Sequence, residues 1–367
     1  MSKVSKEQAL EALKNVIDPD LNKDIVSLGF VQDLEIDGGT VKFRLVLTTP
    51  ACPMKDKMKS EAEQFLKAID GVEKVEIVLD AQTRTSREPE EALPDVKHVL
   101  LIASGKGGVG KSMVAVNLAA ALKQTGATVG IMDADIYGPS VPAMLDINEP
   151  PKVVGGKMVP PIAYDMPVMS IGFLARDEDA LIWRGPILHQ VLGQFVNDVT
   201  WGSLDYLVVD LPPGTGDVQI SLSQLVRASA ALLVSTPQDI AFRDVRRAAV
   251  MFAKVNIPVI GIVENMSHFV CPHCGEQTRV FPVSDESGLR KITEGYFVET
   301  LAGVPIEPAI AESSENGTPI VISDPDSKTA AIFKELAGKV AQKLSILAET
   351  PSEVMSGAGG AGPTDQD

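Results

Sequence analysis

The chain has 367 residues, 45% of them hydrophobic and 22% charged, a composition and length that favour two globular domains. With 33 Lys and Arg against 49 Asp and Glu the formal net charge is −16, which excludes neither fold nor enzyme but disfavours nucleic acid and anionic membranes as partners. Three cysteines rule out a disulfide scaffold. The start, MSKVSKEQAL, lacks the apolar run of a signal peptide, and no stretch approaches the roughly 18 apolar residues of a membrane span. The expectation is a cytoplasmic protein with free thiols and no stable membrane insertion.

Residues 1–80 read as a small α+β domain. Leu10, Leu13 and Val16 share a helical face within Glu7–Val16. Strands are expected at Phe30–Ile36, Val41–Leu47 and Val75–Leu79, with Asp37-Gly38-Gly39 as a hairpin turn and a second helix over Pro53–Ala68. The polar, proline-containing segment 81–95 reads as a linker. From 96 to 348 apolar strand-length runs alternate with helical segments. The strands are Val99–Ala103, Thr128–Met132, Tyr206–Val209, Ala231–Val234 and Val259–Val263; helices fit Ser112–Lys123, Asp217–Arg227 and Ile240–Val255. Such alternation implies an α/β fold with a mostly parallel sheet covered on both faces. A last amphipathic helix spans 327–348, with Ile332, Leu336, Val340, Leu344 and Leu347 on one stripe. Residues 349–367 read as a disordered tail.

Gly105-Lys106-Gly107-Gly108-Val109-Gly110-Lys111-Ser112 fits the phosphate-loop pattern G-x-x-x-x-G-K-[ST] between a strand and a helix. Its glycines let backbone N–H groups approach phosphate oxygens, and the helix N-terminus adds positive potential. Lys111 is expected at the β- and γ-phosphates of ATP and Ser112 at Mg²⁺. Asp133 and Asp135 follow one strand and Asp210 ends another, where carboxylates suit Mg²⁺ directly or through water. Asp217 is either part of the loop after Asp210 or a helix cap.

Cys271-Pro272-His273-Cys274-Gly275 is a C-x-x-C turn. Two thiolates at this spacing supply half of a four-thiolate site, and no second C-x-x-C exists in the chain. A twofold axis through a homodimer completes it, around a 4Fe–4S cluster or Zn²⁺. A redox dithiol is a weaker reading. His268 and His273 are more readily neighbours of the site than ligands. Cys52, before Pro53 at a helix start, suits either cluster relay or simple burial.

The phosphate loop with its second lysine, Lys106, resembles the deviant Walker A ATPases, the group containing the MinD and ParA proteins. The order of that loop, Asp133–Ser140 (DADIYGPS), Asp210–Asp217 (DLPPGTGD) and Asn265–Glu276 (NMSHFVCPHCGE) is similar to the Mrp-type iron–sulfur cluster carriers. The N-terminal segments Asp18-Pro19-Asp20, Asp24–Gly29 and Thr48–Pro53 resemble the small domain fused to such carriers. This resemblance implies a homodimeric ATP hydrolase of slow turnover that receives a 4Fe–4S cluster from a donor scaffold and passes it to apo iron–sulfur proteins. It further implies that Lys106 reaches the partner's nucleotide, that Asp210 is the Walker B residue, and that Asp135 orients the attacking water. Asp133 becomes the companion acid near Mg²⁺, and Asn265 contacts adenine. The alternative is a positioning or partitioning ATPase anchored by its C-terminal helix. One departure stands out: Phe281–Gly288 lacks the family's F-G-x-G-G stretch after the cysteines.

Overall fold

The computed structural model describes residues 4–19, 21, 23–49, 54–81, 93–174, 185–281 and 298–349. Cys52, most of the 81–95 segment, residues 282–288 and the tail from Pro351 lie outside them. The chain divides into two compact units, described separately below.

In the first unit, helix α1 (Lys6–Leu13) opens with a capping box: Ser5 Oγ accepts the Gln8 N–H at 3.2 Å while Gln8 Oε1 accepts the Ser5 N–H at 3.0 Å. Strands β1 (Val31–Asp37) and β2 (Thr40–Leu47) form an antiparallel pair, and β3 (Lys74–Ala81) joins β2 in parallel after helix α2 (Lys55–Lys67). Alternation puts Val41, Phe43, Leu45 and Leu47 of β2 on the inner face. Met58, Ala62 and Leu66 of α2, spaced one helical turn apart, join them in one core with Ala9 and Leu13 of α1.

The second unit carries a sheet of nine strands among the described residues. Its parallel strands are β4 (Val96–Ala103), β5 (Val129–Asp133), β6 (Met166–Ser170), β7 (Leu204–Asp210), β8 (Ala230–Ser235), β9 (Val259–Val270) and β10 (Thr300–Ile306), in spatial order β6-β5-β7-β4-β8-β9-β10. Short antiparallel strands Ile162–Ala163 and Gln277–Thr278 pair with β6 and β9. Helices α3 (Lys111–Gln124), α4 (Gly185–Asn197), α5 (Asp217–Leu225), α6 (Asp239–Lys254) and the part of α7 (Lys328–Glu349) up to Val340 complete the layers, the residues of α7 from Ala341 on falling in the first unit. Every residue of β4 except Lys97 is buried, as a strand covered on both faces requires. Val99, Leu101 and Ala103 share a core with Leu222 of α5 and Val245 and Phe252 of α6; α3, none of whose residues joins that cluster, packs on β4, β5 and β7.

The α/β class expected from the sequence is thus the observed one. The chain runs from β4 to β5 and β6 on the far side of β7, returns to fill β7 between β4 and β5, then crosses to β8 on the other side of β4. The carboxyl ends of β4, β5 and β7 therefore open together beside the loop that leads into α3, where α/β sheets place ligands. Two differences bear on function. The apolar run Val259–Val263 is only the first part of a strand of 12 residues, because its mixed-polarity continuation is held by pairing with β10 and with Gln277–Thr278 rather than by an apolar face. The apolar face of α7 is occupied by the fold: Ala330, Phe333, Leu336, Ala337 and Val340 are buried. No helix among the described residues is long and apolar enough to cross a membrane.

Candidate functional site

The phosphate loop lies between β4 and α3. Gly110 is the N-cap of α3 with φ +79°, a left-handed conformation that costs a side-chain-bearing residue free energy. A Cβ there would also overlap the amide nitrogen of Asn265. Asn265, at 3% exposure, donates Nδ2–H to the Val109 carbonyl at 2.8 Å. Asn265 thus braces the loop. At the other end, a Cβ on Gly105 would overlap Cβ of Asp244 in α6, so this glycine permits a close approach of helix to loop.

Lys111 is 5% exposed, and its ammonium sits 2.5 Å from Asp210 Oδ1 and 3.3 Å from Asp135 Oδ2. Ser112 Oγ donates to Asp210 Oδ2 at 2.5 Å. Asp133 and Asp210 are opposed residues of neighbouring strands, both fully buried. Burial, then the Asp210 charge, pushes the Asp133 carboxyl up to about 7. Burial pushes Asp210 up as well, against the pull of Lys111. Ser170, opposite Asp133 on β6, donates its hydroxyl to Asp133 Oδ2 at 2.8 Å, and the backbone N–H of Asp135 reaches Asp133 Oδ1 at 3.1 Å. The structure therefore gathers Lys111, Ser112, Asp133, Asp135 and Asp210 at one end of the sheet.

Two buried carboxylates side by side with a serine hydroxyl make a hard-oxygen donor set suited to Mg²⁺. Among the described residues no group of three or more His, Cys, Asp or Glu forms a ready-made ion cage. A divalent ion held here would complete its shell with phosphate oxygens and water.

After β7, Gly214 donates its N–H to the Ser104 carbonyl at 2.9 Å, which ties this loop to the end of β4. Gln219 braces the loop internally: its Oε1 accepts the Gly216 N–H at 2.8 Å and its Nε2–H reaches the Pro213 carbonyl at 2.7 Å. Gly216 holds the N-cap position of α5, and Asp217 is the first helical residue. Lys106 is half-buried and donates to Gln238 Oε1 of its own chain at 3.3 Å.

The cysteine pair closes a turn between Phe269–Val270 and Gln277–Thr278. Cys271 N–H binds the Glu276 carbonyl at 3.0 Å and Gly275 N–H the Cys271 carbonyl at 2.8 Å. Cys271 is half-buried, Cys274 is exposed, and both are free thiols. The backbone N–H groups of Cys274 and His273 point at Cys271 sulfur and, with the Cys274 side chain, hold its thiol below the usual range. A thiolate cradled by amide donors is the form that ligates soft metals. His268 faces Ser267 Oγ through Nδ1 at 2.9 Å.

Ser170, Gln219, Gln238 and Asp244 were not singled out by sequence reasoning. Gln219 carried a readable signal, since it stands three residues after the cap as in a capping box, but glycine at the cap hides that pattern.

Comparison with known proteins agrees with this geometry. Residues 95–341 match the family described as NUBPL iron-transfer P-loop NTPase, and residues 6–77 match the family described as iron–sulfur cluster assembly protein. A protein of Deinococcus radiodurans named iron–sulfur cluster carrier protein is 43% identical, covering 94% of this chain and 98% of its own. A Synechocystis protein of the same name is 44% identical, covering 90% of this chain and 96% of its own. Among solved structures, a nucleotide-binding protein of Archaeoglobus fulgidus in complex with ADP is 32% identical with a TM-score of 0.57, covering 68% of this chain and 97% of that one. The Pyrococcus furiosus cell division ATPase MinD, at 24% identity and a TM-score of 0.50, covers 66% of this chain and 98% of its own and shares the fold. With a braced phosphate loop, strand-end carboxylates and a full-domain family match in agreement, the chain belongs to the NUBPL iron-transfer P-loop NTPases.

Proposed function

We propose that the chain is an ATP-dependent carrier that holds a labile 4Fe–4S cluster between two copies of itself and delivers it to apo iron–sulfur proteins. The observation that carries this reading is β9: one strand reaches from the phosphate loop, through Asn265, to a turn in which amide donors stabilise the Cys271 thiolate. Two sulfurs are too few for a cluster, so Cys271 and Cys274 of two subunits supply the four ligands.

The nucleotide end performs hydrolysis. Lys111 leaves Asp210 and Asp135 to meet the β- and γ-phosphates, and the loop amides bind their oxygens. Ser112, Asp133 and Asp210 would hold Mg²⁺, which supplies charge neutralisation on the phosphates. Asp135, released from Lys111, orients the attacking water. Asn265 serves the adenine side as well as the loop. Lys106, released from Gln238, reaches the nucleotide of the partner and couples ATP to dimer geometry. No arginine is assigned to the transferring phosphate, so turnover is slow. The cluster arrives from a donor scaffold in the cytoplasm. The burial of the α7 apolar face favours this reading over a membrane-anchored positioning ATPase.

Anaerobic reconstitution of the purified chain, followed by an absorption spectrum and iron, sulfide and zinc analysis, tests the reading. A sulfide-containing chromophore is expected. Zinc uptake alone, with no sulfide, would refute it.

A further inference from the structure

Strand β9 does more than span the distance between the two sites; it contains a built joint. Its pairing with β10 shifts by one residue between Ile262 (opposite Thr300) and Val263 (opposite Ala302), runs in register from there to Asn265 opposite Val304, then resumes only at Phe269 opposite Ile306. Met266, Ser267 and His268 thus stand against Pro305 alone, so the extra residues bulge out of the ladder. Proline has no N–H to offer a partner strand, which makes this the natural place for the ladder to break. Met266 takes φ +58°, a left-handed conformation that a methionine does not adopt without surrounding constraint. Ser267 supplies part of that constraint. Its hydroxyl donates to the Val304 carbonyl at 3.1 Å and lies 2.9 Å from His268 Nδ1.

The residue before the bulge, Asn265, is bonded to Val109 and packed against Gly110, so it cannot shift without the phosphate loop. The segment after the bulge, Phe269–Val270, is paired to Gln277–Thr278 and leads directly into Cys271. A hydrogen-bonded anchor on one side, a paired hairpin on the other and a strained segment between them have the build of a joint.

We propose that the Met266–His268 bulge transmits the occupancy of the phosphate loop to the thiol turn, with Ser267 as its positioning residue. The proposal rests on the carrier reading and gives it a route: phosphate binding moves the loop, Asn265 follows Val109, and the bulge converts that shift into reorientation of the hairpin that carries Cys271.

The test uses full-length apoprotein, so it does not depend on cluster loading. Iodoacetamide alkylation of Cys271 and Cys274 is followed by peptide mass spectrometry, with and without saturating Mg-ATP. Mg-ATP is expected to change the Cys271 rate by about fivefold or more in the wild type. Met266→Gly relaxes the left-handed residue and Ser267→Ala removes the bond to Val304. Each should reduce the nucleotide effect to below about twofold while ATP affinity stays at the wild-type value. Ser267→Ala, which deletes a single oxygen, carries the test if the glycine variant fails to fold. A wild-type response that persists in Ser267→Ala would overturn the proposal, and so would a wild type whose thiols ignore ATP. A wild type that responds to ATP but loads no cluster would instead overturn the carrier reading and leave the joint standing.

Discussion

Lys111 is the residue on which the nucleotide end balances. Its ammonium neutralises Asp210 and Asp135 in a buried setting. Removing it leaves carboxylates buried without their counter-charge, a loss of about 3–5 kcal/mol. Lys111→Ala should therefore lower the melting temperature as well as abolish ATP turnover, by at least ~10²-fold in kcat/KM. The double variant Lys111→Ala, Asp210→Asn should regain most of the stability and none of the activity; calorimetry and a phosphate-release assay separate the two effects. Asp133 gives a pH signature. The unfolded chain sheds its proton near pH 3.8, and the fold keeps it to about pH 7. The folded state binds the extra proton across that window, so stability falls as pH rises through it and the loss is complete above it. Between about pH 5 and pH 8 in EDTA, the drop in melting temperature should shrink in Asp133→Asn. An undiminished drop in that variant would assign it to other groups. Lys111 was readable from the phosphate-loop pattern, and Asp133 and Asp210 because charged residues closing apolar runs have few structural reasons to be there. Ser170 was not, since a serine at the end of a short strand looks like any turn residue.

At the scale of elements, β9 couples a loop that must be small to a turn that must be sulfur-bearing. Gly110→Ala meets both a positive φ and the Asn265 amide, so it should cost about 1–2 kcal/mol of stability and lose nucleotide binding. A titration with fluorescent ATP against Gly193→Ala in α4, whose Cβ would meet nothing within 4 Å, isolates the effect to Gly110. At the far end, the amide cradle keeps Cys271 ionised below the ordinary thiol range. Its alkylation should therefore persist to lower pH than that of a peptide cysteine, and an ordinary profile would remove the cradle. The thiol turn was legible as C-x-x-C with flanking Pro and Gly. The strand that delivers it was legible only to Val263, because Glu264–Val270 has no apolar run and its conformation is imposed by β10 and the hairpin. Strand β10 itself was missed, since Gly303 and Pro305 interrupt its pattern.

For the whole molecule, the described residues supply one nucleotide end and one pair of thiols per chain, and the carrier reading requires a second copy for both. The fold class follows from buried apolar runs separated by helices, which were visible in the sequence, whereas the spatial order of the strands came only with the structure. The homodimer is read in the sequence only as an unmatched half, one C-x-x-C pair and a second loop lysine, because a partner's contribution to a shared site leaves no other pattern. Lys106→Ala should keep ATP affinity yet lose ATP-dependent dimer closure in small-angle scattering; an unchanged scattering response would take Lys106 out of the interface. The most direct test of the account is transfer. The anaerobically reconstituted chain is mixed with an apo-ferredoxin and followed by absorbance, alongside the Cys271→Ala, Cys274→Ala double variant. The account predicts about four iron and four sulfide per wild-type dimer, passing to the ferredoxin. The double variant should carry none, with its ATP hydrolysis intact. Stoichiometric iron and sulfide on the double variant, or a wild-type cluster that never leaves, would contradict it.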